Sequence, residues 1–319
     1  KIWKEENPNA EIAVVTTGFS RGAEEAAGFA RLVHERGIQN SSGRHIEHHV
    51  IGPDTISYTK PALVEPGNVI QSVALFDPVG TGHPHSHDRT LPPSVVSGFQ
   101  ITARDERRNA FPSSQIIPPG LSADGRFLNV TVPGSHSDIG GSYHVDGLAI
   151  LNGNLMTDFI NAHSDVPLLE RRPEPDDPSR YVIHRSEEHL FIYRTSTFDR
   201  DGVRDVVGSQ LSPPHCRFVE ICAPPEPLDP ALLDRIGERH PVAVHTPVIP
   251  EMPDVVDMAP SVAQEPMTSA MTADQVQAIL HEKEDSNRID FSAFDRQRHA
   301  DVGNIPVSSS PEVDSTPES

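Results

Sequence analysis

Gly18-Phe19-Ser20-Arg21-Gly22-Ala23 (GFSRGA) follows directly on the apolar run IAVVTT at residues 12–17. Residues 11–20 (EIAVVTTGFS) read as a short buried strand running into a glycine turn. Residues 21–37 (RGAEEAAGFARLVHERG) then read as a helix, with Ala23, Ala26, Ala27, Ala30 and Val33 on one face and Gly37 as its stop. A serine at such a junction satisfies G-x-S-x-G. A strand that bends abruptly into a helix forces the serine into strained backbone geometry and lifts its hydroxyl clear of the sheet. The glycines two residues away on either side are expected to relieve collisions with neighbouring backbone. Ser20 is therefore the candidate nucleophile, and the Arg21 backbone amide one candidate oxyanion donor. The bland alternative is a tight turn that tolerates a hydroxyl.

Further along, residues 71–82 (QSVALFDPVGTG) and 127–134 (FLNVTVPG) read as strands, and 147–162 (GLAILNGNLMTDFINA) as a second helix. Residues 180–196 (RYVIHRSEEHLFIYRTS) supply a fourth strand and have the length for a fifth. Alternating strands and helices predict an α/β sheet, mostly parallel and covered by helices. From about residue 240 the texture turns proline-rich and then acidic. The domain reading is a catalytic unit over 1–240 and a Pro-rich, largely disordered tail over 241–319, with one short helix at ADQVQAILHEKE.

A formal charge of −20 on 319 residues argues against a nucleic-acid partner, which needs a basic face. A local apolar rim could still make transient membrane contact. No apolar stretch approaches the ~18 residues of a membrane span. Cys216 and Cys222 are too few for a disulfide scaffold. His83, His85 and His87 beside Asp88 are spaced to touch a metal ion, but no second acidic or thiol cluster joins them, so neither metal nor cofactor is expected.

A serine hydroxyl needs a base and a group that orients it. Asp138 follows FLNVTVPG, and His184 lies in RYVIHRS after a later apolar run. Asp77, at the end of VALFD, is the rival acid, and His136 is either a group orienting the loop or a surface residue. The cluster DERR at 105–108 reads as internal ion pairs on a helix, or as a solvated charge run. The Asn129 sequon falls on a strand, which disfavours glycosylation.

Taken in order, GFSRGA, LFDPVG, DERRNAFP, VPGSHSDIGGSY and VIHRS resemble the landmarks of the bacterial and fungal α/β-hydrolase family that includes the type VI secretion phospholipase effectors. The resemblance runs from about residue 11 to about 200. It implies Ser20 as nucleophile, Asp138 as acid and His184 as base, acting on ester bonds with membrane phospholipids as the substrate class. It further implies an effector-type toxin made in a bacterial cytoplasm and exported, with an immunity or carrier protein as partner. Only 19 residues precede Ser20. A full hydrolase sheet has earlier strands that supply a second oxyanion amide, so a missing N-terminal segment or chain is expected. The competing expectation is a hydrolase-fold binding module with impaired catalysis.

Overall fold

In the computed structural model the described residues are 4, 6–80, 88–108, 111–164, 166–189, 225–236, 247–249, 251–253 and 256–257. The chain divides into two units, Lys1–Pro260 and Ser261–Ser319, and the second lies wholly outside the described residues. So do the triple-histidine loop at 83–87, both cysteines and the ADQVQAILHEKE segment.

The central sheet holds five strands in the order β1-β4-β5-β7-β6. These are β1 (Ala13–Phe19), β4 (Ile70–Phe76), β5 (Val95–Ala103), β7 (Phe127–Val132) and β6 (Gly120–Leu121). The first four are parallel and β6 runs antiparallel to β7. A separate antiparallel hairpin is formed by β2 (Arg44–Glu47) and β3 (Thr55–Tyr58). Helix α1 (Arg21–Arg36) covers one face, where its alanine stripe Ala23, Ala26, Ala27 and Ala30 meets Val73, Leu75, Leu91, Val95 and Phe127. Small side chains on that stripe let the helix axis approach the sheet closely, so larger residues there would overpack the layer. Two further helices, α2 (His136–Gly140) and α3 (Gly147–Asn161), cover the other face. There Ile139, Leu155, Met156 and Phe159 pack on Ala74, Phe99, Ile101 and Ala103. Full burial of each large apolar side chain in these layers contributes about 1.5–3 kcal/mol. The result is a mixed α/β fold with a mostly parallel central sheet.

The chain order explains where chemistry can sit. Loops leaving the carboxyl ends of β1, β4, β5 and β7 all emerge on one edge of the sheet, the edge where open α/β sheets build their sites. Beyond the sheet, β8 (Val182–Ile183) pairs in parallel with β9 (Val256–Asp257), a contact made by residues within the stretch read as tail. Two short helices, α4 (Ser186–His189) and α5 (Pro230–Ile236), and two 3-10 turns at Ser41–Gly43 and Pro178–Arg180 complete the described elements. No helix among the described residues is long and apolar enough to cross a membrane.

Candidate active site

At the end of β1, Ser20 takes φ 59° and ψ −125°, a left-handed conformation that a residue with a side chain rarely adopts. It caps α1, and its amide donates to the Phe76 carbonyl at 3.0 Å, which anchors the turn to β4. The Val79 amide returns a bond to the Ser20 carbonyl. Arg21 provides the first helical N–H, one of the four amides that no carbonyl inside the helix can satisfy.

The two glycines of the motif do different work. A Cβ on Gly18 would lie 2.1 Å from the Gly22 carbonyl oxygen, so the turn closes only without one. A Cβ on Gly22 would meet nothing within 4 Å, and the expectation that both glycines relieve collisions is corrected for this one. Gly18→Ala is therefore expected to lower the melting temperature sharply or prevent folding. Gly22→Ala should leave the fold intact and raise stability by up to about 1 kcal/mol, the helix cost of glycine. Paired thermal melts check both.

Beside Ser20, Asp77 follows β4 with φ 38° and is completely buried. Its amide donates to Ile101 of β5, and its Oδ1 accepts from the Ala103 amide at 3.0 Å. Its Oδ2 lies 2.6 Å from Nδ1 of His136, the first residue of α2. The His136 ring packs against Phe19, the residue before the candidate nucleophile, at 4.4 Å between centroids, and edge-on to Phe111 at 5.1 Å. Its amide donates to Glu106. Glu106 in turn receives the Arg108 guanidinium through two 2.8 Å bonds. The DERR cluster thus forms a buried ion pair in the loop after β5 and not on a helix or a solvated face.

Asp138 points elsewhere. At 3.6 residues per turn, a position two residues on lies about 200° around the helix, whereas four residues on returns to the same face. Accordingly His136 and Gly140 both face Phe19. A Cβ on Gly140 would fall 2.4 Å from that ring. Asp138, on the far side, accepts from the Ser135 amide (2.8 Å) and hydroxyl (3.0 Å), and from the His184 amide (3.0 Å) and Nδ1 (2.6 Å). Tyr143 stacks on the His184 ring at 3.8 Å and 11°, and its phenol is 2.7 Å from the Ser186 hydroxyl. Burial, together with the Asp138 carboxylate, holds that phenol above its ordinary pKa, so it remains a neutral O–H. Burial likewise raises the carboxyl of Glu187, against the pull of the Arg107 guanidinium 3.7 Å from its Oε1.

The structure therefore brings Asp138 and His184 together, and it brings the rival acid Asp77 together with His136. Of the two pairs, the second abuts the Ser20 turn through both Phe19 and the β1–β4 backbone bonds. The sequence left His136 as either a group orienting the loop or a surface residue, and its burial excludes the second. Chain order does not separate the two pairs, because Ser20, Asp77, His136 and Ser20, Asp138, His184 both run serine, acid, histidine, each after a strand end. Asn129 is buried, and its amide donates to Gln115 and Ile117, which leaves no room for a glycan. No group of three His, Cys, Asp or Glu able to hold a metal ion occurs among the described residues.

Fold and site define a mixed α/β protein whose sheet carries, along its carboxyl edge, a strained serine and two aspartate–histidine pairs. No family model matches the chain, and no curated protein matches it. Among solved structures it is similar to the Tle1 effector bound to the VgrG spike from the type 6 secretion system. The identity is 28% over 40% of this chain and 24% of that one, with a TM-score of 0.27. The chain spans about a quarter of that protein's length.

Proposed function

We propose that the chain is a serine hydrolase that cleaves carboxylic esters of lipids, with Ser20 as nucleophile, His136 as general base and Asp77 as the acid that orients it. The observation that carries this reading is the strained Ser20 turn packed against a buried Asp77–His136 pair. An ionised carboxylate only accepts, so Asp77 holds the proton on His136 Nδ1 and leaves the Nε2 lone pair free. In the proposed cycle the Ser20 oxygen attacks the ester carbonyl carbon and its proton passes to Nε2. The Arg21 amide stabilises the oxyanion, the alcohol departs with the proton, and water releases the acyl group through the same base. The lipid substrate class comes from the motif resemblance, as does delivery as an exported effector with a carrier or immunity partner.

A second assignment keeps the pair expected from sequence, His184 as base and Asp138 as acid. It is favoured by the 2.6 Å contact between them and by the partial exposure of His184. A fluorophosphonate probe, applied to the full chain, tests the class of chemistry. Labelling is expected on the native protein and not on Ser20→Ala. A folded chain that takes no label would leave the binding-module reading instead. Hydrolysis of phosphatidylglycerol vesicles, compared with a soluble p-nitrophenyl ester, tests the substrate class.

A further inference from the structure

We propose that the Asp138–His184 pair is a positioning clamp, holding α2 so that His136 stays seated between Asp77 and the nucleophile turn. The inference rests on the assignment of His136 as base. The clamp is a closed ring of polar contacts. Asp138 accepts from the amide and hydroxyl of Ser135 and from the amide and Nδ1 of His184. His184 lies flat against Tyr143, the Tyr143 phenol reaches Ser186, and the Ser186 hydroxyl returns to Ser135 at 3.1 Å.

All of these groups gather on the side of α2 away from Phe19. A five-residue helix has almost no stability of its own, because fixing the backbone of its first turn costs more conformational entropy than the single hydrogen bond gained returns. Something outside it must fix its rotation and its depth. On the Phe19 side it is fixed by ring contacts and by Gly140, which seats the helix closely on Phe19. On the other side the four donors converging on one buried carboxylate do the same work, and two of the four come from His184.

The discriminating substitution is His184→Asn. An asparagine amide nitrogen sits close to where Nδ1 does and can donate to Asp138, but it has no nitrogen that titrates near neutrality and cannot serve as a general base. With p-nitrophenyl butyrate as substrate, His184→Ala is expected to lower kcat about 10²-fold, the loss that follows misplacement by ~1 Å, with KM within about twofold. His184→Asn is expected to recover at least about a tenfold share of that loss, and its Ser20 should still take fluorophosphonate. Native turnover in His184→Ala overturns the clamp, and so does a His184→Asn variant with no turnover, folded or not. The underlying assignment fails separately: a His136→Gln variant that turns over like the native chain would remove His136 as base whatever His184 does.

Discussion

Ser20→Gly should melt at a higher temperature than the native protein while losing turnover by a factor on the order of 10⁶. The two halves of this result have one cause. Ser20 carries φ 59° and ψ −125°, and backbone held in such a region costs about 1–3 kcal/mol, sustained by the surrounding structure. Here the sustaining contacts are the Ser20 amide on Phe76, the Val79 amide on Ser20 and the close passage of Gly18 under Gly22. Glycine enters that conformation freely, so the strain disappears with the hydroxyl. At about 2–4 °C per kcal/mol for a unit of this size, the gain is readable in a thermal melt. Glycine also loosens the unfolded chain, which subtracts up to about 1 kcal/mol from the gain. A variant that melts well below the native protein would show that the turn stores no strain, and the case for an activated serine would weaken with it.

Much of the frame was legible because it is written in local pattern. The run at 12–17 and the alanine stripe from Ala23 to Val33 specify β1 and α1 without help from the rest of the chain. β7 and α3 were equally plain, since FLNVTV and the spacing of Leu148, Leu151, Leu155 and Phe159 carry their own periodicities. Among the four parallel strands, the one that carries no readable pattern is β5, whose residues are all buried. Its sequence, VVSGFQITA, puts serine, glycine, glutamine and threonine in the middle of the sheet, where an apolar run would be expected. The last three are explained only by tertiary neighbours. Gly98 leaves room for the Phe127 ring, Gln100 donates to Ser114 and accepts from Ile117, and Thr102 donates to Asn129. The β2–β3 hairpin was missed for a different reason: its strands are largely exposed, so no buried face imposes an alternation. The site followed the same division. The serine turn is a local signal. Which histidine meets which aspartate depends on the rotation of α2 over the strand ends, and no spacing in the chain encodes that.

That rotation sets the contrast expected between two substitutions of the same kind. Asp77→Asn should reduce kcat by about 10⁴-fold, because a neutral amide can present its nitrogen to His136 Nδ1 and thereby move the imidazole proton to Nε2, where the lone pair is needed. The loss should appear in the rate of Ser20 labelling as well as in ester turnover, with KM little changed. Asp138→Asn removes a carboxylate that gathers four donors, so its amide must turn an N–H toward at least one of them. Its expected signature is therefore a lower melting temperature and a fall in kcat no larger than about 10²-fold, the cost of a displaced but intact base. Substitution to asparagine is chosen over alanine so that neither site is left with an empty cavity. His136→Ala would strand the Asp77 carboxylate in the interior, a penalty of about 3–5 kcal/mol that could mask the chemistry. If Asp138→Asn instead suffers the four-decade loss and Asp77→Asn retains near-native turnover, the proton path runs through His184. The buried pair beneath Phe19 would then be the structural one.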